Sequence, residues 1–234
     1  VSRDLIRVAD GVWLKRGGLP PTMNVFLIED PAGGVTLFDA GVKSMTASLI
    51  QAAAPFGGIN RVVLGHGHGD HRGAAPGLGA PVFCHPAERA DAEGDGGLHY
   101  ADMSKLNPLG RLVLPRLLRM WDGGPVEISG TVDEGDDVSG FEVVHIPGHA
   151  PGQIALWRSR DRLLLSTDAF YTLDPQTGLK GGPRIPHDAF NLDKEAARAS
   201  LLKLASLEPA AAWPGHADPL TGDVRSTLEQ VAGR

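Results

Sequence analysis

The sequence predicts an α/β fold of two packed sheets with helices on their outer faces. Three observations carry this expectation. Strand-like runs followed by a helical run occur in each half of the chain, the pattern of layered sheets covered by helices. Glycine and proline supply 31 and 18 residues, 49 of 234, well above the usual share of about 12%, which excludes a helical bundle. No apolar stretch reaches the roughly 18 residues of a spanning helix.

The elements follow in order. Residues 12–15, 24–29 and 35–39 are short runs rich in branched and aromatic side chains, punctuated by Gly17-Gly18, Pro20-Pro21 and the glycines at 33 and 34. A helix is expected over 45–54, stopped by Pro55. Residues 61–64 and 81–84 read as strands, the second leading into a helix from about Pro86, a position where proline is tolerated. Residues 94–125 break the rhythm. Their apolar part, 109–121, carries Arg111, Arg116 and Arg119 with Pro115 in its middle, and reads as a broken helix or lid. Strands are expected again at 141–146, 153–157 and 162–166. The best helix spans 194–207, with Asp193 as N-cap and Pro209 beyond its end. A strand at 211–213 and a helix at 224–232 close the chain, which is expected to form one domain over 1–234.

Composition narrows the function. Lys plus Arg is 22 and Asp plus Glu 28, a net charge of −6, with a pI of about 5.8; nucleic-acid binders usually present a basic face. The one cysteine, Cys84, excludes an internal disulfide framework and fits a reducing cytoplasm. Residues 1–4 show no signal-peptide pattern. The expectation is a cytoplasmic protein with a small-molecule substrate, no nucleic-acid or membrane partner, and an undetermined oligomeric state.

The chemistry concentrates in His66-Gly67-His68-Gly69-Asp70-His71. Three imidazoles and a carboxylate within six residues suit Zn, Fe or Mn, and the intervening glycines let the backbone turn sharply enough for the side chains to converge. A chain of this composition produces the pattern by chance roughly once in a thousand. Three further motifs each follow an apolar strand: Pro147-Gly148-His149, Ser166-Thr167-Asp168 and Pro214-Gly215-His216. Rigid elements hold ligands well at such positions.

Together these residues resemble the metallo-β-lactamase fold superfamily, over nearly the whole chain from the Leu37-Phe38-Asp39 strand end to the Gly215-His216 turn. The resemblance implies an αβ/βα four-layer sandwich with two divalent metal ions at one edge, zinc first, iron or manganese as alternatives. It implies His66, His68 and His149 on one metal, Asp70, His71 and His216 on the other, Asp168 bridging, and Asp39 orienting a ligand from behind. Tyr171 stands three residues after Asp168, as in some acyl-homoserine lactonases of the superfamily, where a phenol could donate to a developing oxyanion.

Departures refine this. The best-known zinc β-lactamases carry a cysteine where Asp168 stands, and Cys84 does not match that position, which points away from β-lactam hydrolysis as a main activity. Gly65 replaces a frequent Thr or Ser, so looser local hydrogen bonding is expected there. The implied activity is hydrolysis of a small ester, lactone or thioester by a metal-bridging hydroxide, with Asp70 orienting the nucleophile and taking up its proton. The alternatives are a persulfide dioxygenase-like enzyme with one iron, a phosphodiesterase, and a metal-binding protein of weak activity. Of the other histidines, His145 reads as a packed strand residue and His85 as a turn residue. His99 and His187 lie in loops expected near the site.

Overall fold

The computed structural model describes residues 5–234; the stretch 1–4, where the sequence shows no signal pattern, lies outside the described residues. Seven strands form the first sheet in chain order: β1 (Leu5–Ala9), β2 (Val12–Gly17), β3 (Met23–Glu29), β4 (Val35–Phe38), β5 (Ile59–Val63), β6 (Val82–Cys84) and β7 (Gly130–Thr131). The meander from β1 to β4 is antiparallel. From β4 to β7 the strands run parallel, which requires a crossover between successive strands. Helix α1 (Thr46–Ala53) supplies the first, and the short α2 (Gly69–Arg72) lies in the second. Helices α3 (Arg89–Ala92) and α4 (Pro108–Trp121) lie between β6 and β7.

The second sheet contains β8 (Asp137–Val138), β9 (Phe141–His145), β10 (Ile154–Arg158), β11 (Leu163–Thr167), β14 (Ala211–Pro214) and β15 (Leu220–Thr221), in the order β15-β14-β11-β10-β9-β8. A separate ribbon pairs β12 (Tyr171–Leu173) with β13 (Lys180–Arg184). Helix α5 (Lys194–Ser206) carries the parallel crossover from β11 to β14, and α6 (Val224–Ala232) ends the chain.

Side-chain alternation along the strands builds three apolar layers. In β3, Met23, Val25 and Leu27 face outward onto Leu49, Ala52 and Ala53 of α1. Phe26 and Ile28 of the same strand face the second sheet, where Phe141, Val143, Leu163 and Leu165 meet them. On the far side Val144, Ala155 and Leu164 pack under Leu201 and Leu204 of α5 and Leu228 and Val231 of α6. This is the expected sandwich of two sheets between helices.

Helix α5 begins where the sequence places it, with the Asp193 side chain accepting from the Ala196 N–H at 3.0 Å. Helix α4 corrects the sequence reading: 108–121 is one continuous helix through Pro115, not a broken one. Asn107 caps its start, accepting from the Gly110 N–H at 2.7 Å, and Pro108 occupies the tolerated first turn. Proline removes only one backbone bond here. The apolar positions Leu114, Leu117, Leu118 and Trp121 recur at helical spacing on the inward side, and their burial holds the turns together. Among the described residues no helix is long and apolar enough to cross a membrane.

Candidate metal centre

Four strand ends from both sheets meet at one edge. His66 follows β5, His149 follows β9, Asp168 follows β11 and His216 follows β14. The sheets are tied together at this edge: the Asn24 side chain on β3 donates to the Pro214 and Ala217 carbonyls at 3.0 and 2.9 Å, and its backbone N–H donates to Gly215. All seven residues singled out by sequence converge here. The Asp168 carboxylate is central, with Oδ2 at 3.2 Å from His71 Nε2, 3.5 Å from His216 Nε2, 3.7 Å from His149 Nε2 and 4.0 Å from His66 Nε2. Asp70 Oδ2 lies 3.3 Å from His216 Nε2.

Four of the imidazoles are oriented by a hydrogen bond on the nitrogen facing away from the centre. His66 Nδ1 meets the Thr167 hydroxyl at 3.2 Å, and His71 Nδ1 meets Asp39 Oδ2 at 2.9 Å. His149 Nδ1 meets Asn191 Oδ1 at 3.1 Å, and His68 Nε2 meets the Tyr100 hydroxyl at 2.8 Å. Each partner that accepts a ring proton leaves the opposite nitrogen with a free lone pair toward the centre. His66 Nε2, His71 Nε2 and Asp168 Oδ1 are buried without a hydrogen-bond partner. Buried polar atoms are rarely left so, and neutral imidazole with carboxylate is a donor set for divalent cations. Ligand atoms of His66, His68 and His149, of His66, His71 and Asp168, and of Asp70, His71 and His216 lie close enough within each group to hold an ion. The residues present therefore fit divalent metal binding.

Charge follows the same division. Burial lowers His66, His68 and His149, with His68 brought down to about 3, so these rings are neutral. Burial alone would also lower His216, but Asp168 and Asp70 outweigh it and raise it to about 9. Burial opposes ionisation of Asp168, yet His71 and His216 hold its carboxyl well below the usual range.

Asp39 lies beneath His71, the side from which the resemblance implies it would orient a ligand. Its Oδ1 accepts the Gly65 N–H at 2.7 Å and its Oδ2 accepts the Thr167 hydroxyl at 3.1 Å. Thr167 also corrects the expectation of looseness at Gly65. A Cβ at Gly65 would lie 2.8 Å from Thr167 Oγ1, so the hydroxyl comes from across the sandwich and occupies the space a Thr or Ser side chain would need. Gly215 is required for a similar reason: a Cβ there would collide with Asp168 Oδ1 and lie 2.7 Å from His71 Cε1. Asp39 and Thr167 both hold positive φ, 62° and 41°, an unusual conformation for side-chain-bearing residues that clusters at functional sites.

The sequence reading missed four residues. Glu88, fully buried, accepts the Gly67 N–H at 2.6 Å and the Gly152 N–H at 2.7 Å, joining the loop of His66 and His68 to the turn of His149. Burial pushes its carboxyl up to about 7. Tyr100, Thr167 and Asn191 are the others. Nothing in the local sequence marks Tyr100 or Asn191, and Thr167 lies inside the Ser166-Thr167-Asp168 motif only as the neighbour of Asp168; each is an ordinary polar residue until the fold brings it to a ligand.

Tyr171 is buried and donates its hydroxyl to Asp168 Oδ2 at 3.0 Å. It lines a cleft of about 140 Å³ together with His68, Asp70, His149, Asp168 and His216, under Leu114, Leu118 and Trp121 of α4. His99 does not line this cleft; it pairs with Asp95 at the surface at 3.2 Å. His187 lies apart as well, against Gln176. His145 and His85 stack with ring centroids 4.0 Å apart.

The model of a family described as the metallo-beta-lactamase superfamily matches residues 21–216. A probable metallo-hydrolase, YflN, from Bacillus subtilis strain 168 is 30% identical over 90% of this chain and 87% of its own. Among solved structures, the metallo-beta-lactamase family protein TTHA1429 from Thermus thermophilus superposes with a TM-score of 0.70 at 26% identity, covering 97% of this chain and 80% of that one. A structure of TTHA1623 in a di-iron-bound form gives 0.63 at 25% identity, covering 92% and 96%.

Proposed function

The chain belongs to the metallo-β-lactamase superfamily, and from that premise we propose that it is a dinuclear metal-dependent hydrolase of a small ester, lactone or thioester. The observation that carries this reading is the set of buried, unpartnered donor atoms on His66, His71 and Asp168 at the centre of four imidazoles oriented from behind. His66, His68 and His149 would hold one cation, Asp70, His71 and His216 the second, and Asp168 both. The second group of donors favours two cations over a mononuclear iron site. Zinc suits these ligands first, and the di-iron form of TTHA1623 makes iron the principal alternative. When bound, two divalent cations supply Lewis acidity that polarises a carbonyl and makes water nucleophilic near neutral pH.

The chain's own groups do the rest. The Asp70 carboxylate, 3.3 Å from His216, orients the attacking water and takes up its proton. The Tyr171 hydroxyl, at the cleft wall beside Asp168, donates to the oxygen on which negative charge develops. The apolar wall of α4 excludes water from the remainder of the substrate. Water adds across the acyl bond, giving a carboxylic acid and an alcohol or thiol.

Metal analysis of protein from unsupplemented medium, followed by a panel of lactone, thioester and β-lactam substrates, tests the reading. The expected result is about two equivalents of metal and turnover of a lactone or thioester. Asp168→Ala should lose metal and activity together while the apolar sandwich stays folded. Full activity of that variant with two metals retained would overturn the assignment.

A further inference from the structure

Beyond its ligands, the cleft has a charge pattern that ester hydrolysis alone does not demand. Leu19, Leu98, Leu114, Leu118, Trp121 and Phe190 form much of its wall. Among the described residues no lysine or arginine lines it, although the chain has 22 of them. Arg72, close beneath the Gly96 turn, is committed elsewhere: it pairs with Asp122 at 2.8 Å and donates to the Asp91, Ala92 and Gly94 carbonyls. The other charged side chains in the wall are acidic, Asp95 and Asp122. A substrate arm carrying a carboxylate or phosphate would lose its water here with no cation to replace it, whereas an apolar arm gains from burial.

We propose that this cleft selects an uncharged substrate with an apolar arm and discriminates against arms that end in an anion. The proposal rests on the hydrolase reading for its chemistry, while the selection itself is a property of the wall. Thioesters and cyclic amides with a remote carboxylate are thereby poor substrates, and neutral acyl esters or lactones good ones.

The test is a matched pair of aryl esters of equal chain length, para-nitrophenyl hexanoate and the mono-para-nitrophenyl ester of adipic acid, which exchange a terminal methyl for a carboxylate. With the metal-loaded protein, kcat/KM should favour the hexanoate by at least about tenfold. Leu118→Lys on the half-buried side of α4 should narrow that ratio, and Leu98→Lys, at a 44% exposed position, is a second variant that leaves the core untouched. Equal kcat/KM for the two esters in the unaltered protein would overturn the proposal and leave the hydrolase reading standing. If neither ester is cleaved, the hydrolase reading stands or falls on the lactone and thioester panel, and selection is read from binding. Trp121 fluorescence is then titrated with an unreactive methyl ketone and with the keto acid of equal length, with Trp121→Phe as the blank. Tighter binding of the ketone supports the proposal, and equal binding refutes it.

Discussion

Glu88 is the residue whose position explains most about the site beyond the ligands themselves. It has no cation partner among the described residues, yet both its oxygens are occupied by N–H groups from the two ligand-bearing loops. Glu88→Gln keeps one acceptor and turns an NH₂ toward the other N–H, so one loop is released. Metal affinity, read by chelator competition, should fall tenfold to a hundredfold, the usual range for groups that support a ligand. The same variant has a pH signature. Burial raises Glu88 from its ordinary 4.5 to about 7, so the folded chain keeps a proton that the unfolded chain has lost. Its stabilising contribution is present in full below pH 4.5 and is lost as pH rises through 7. Urea unfolding of metal-free protein from pH 4 to 8 should show the native chain losing about 3 kcal/mol more than Glu88→Gln over that window. Tyr171 allows a different separation. If its hydroxyl donates in the transition state, Tyr171→Phe should lower kcat and kcat/KM by a similar factor, up to about 10²–10³. If it only supports Asp168, metal content should fall and turnover per bound metal should stay near that of the native chain.

At the scale of elements, the segment 94–125 is fastened at both ends by one side chain. Arg72, 1% exposed, reaches from α2 to the carbonyls of residues 91, 92 and 94 at its start and forks onto Asp122 at its end, with bonds of 3.1 and 2.8 Å. Removing one member of such a buried network costs about 3–5 kcal/mol, because its partners are left without it. Arg72→Met should lower the unfolding free energy by about that much and should expose 94–125 to limited proteolysis while the sandwich remains resistant. Unchanged protease sensitivity would show that the packing of α4 alone holds the segment. This part of the fold was the least legible in the sequence. Pro115 signals a break, and only the inward packing of Leu114, Leu118 and Trp121 shows why the helix continues. Strand β1 was hidden for a related reason: its Arg7 and exposed Ile6 interrupt the apolar alternation of an edge strand that buries little. The two-residue strands β7, β8 and β15 are too short to carry any periodicity.

At the scale of the whole molecule, the ligands span residues 66–216 and come from both sheets, so a bound metal pair would link parts of the chain that only the folded sandwich brings together. At a free metal concentration of about a thousand times Kd this linkage is worth roughly 4 kcal/mol, and for a chain of this size about 10 °C in Tm. Calorimetry with and without a chelator should show that difference; equal melting temperatures would mean that the metals do not bind the native state preferentially. The ligand residues were legible because their chemistry is concentrated in short motifs at strand ends. The layered sheets were legible because Val25 and Leu27 against Phe26 and Ile28 alternate between two cores. Glu88, Tyr100 and Asn191 were not, since contacts made across tens of residues leave no local pattern. The turns at Gly65, Gly67, Gly152 and Gly215 direct their N–H groups to Asp39, to Glu88 twice, and to the Thr167 carbonyl. Loops on a protein edge ordinarily trade their amide hydrogens with solvent through small local openings. Here those four amides are buried and bonded to fixed acceptors, and the Gly152 bond also joins the two halves of the sandwich, so in deuterated water they should keep their protons about as long as the core strands do, and the site's geometry should persist for as long as the fold itself.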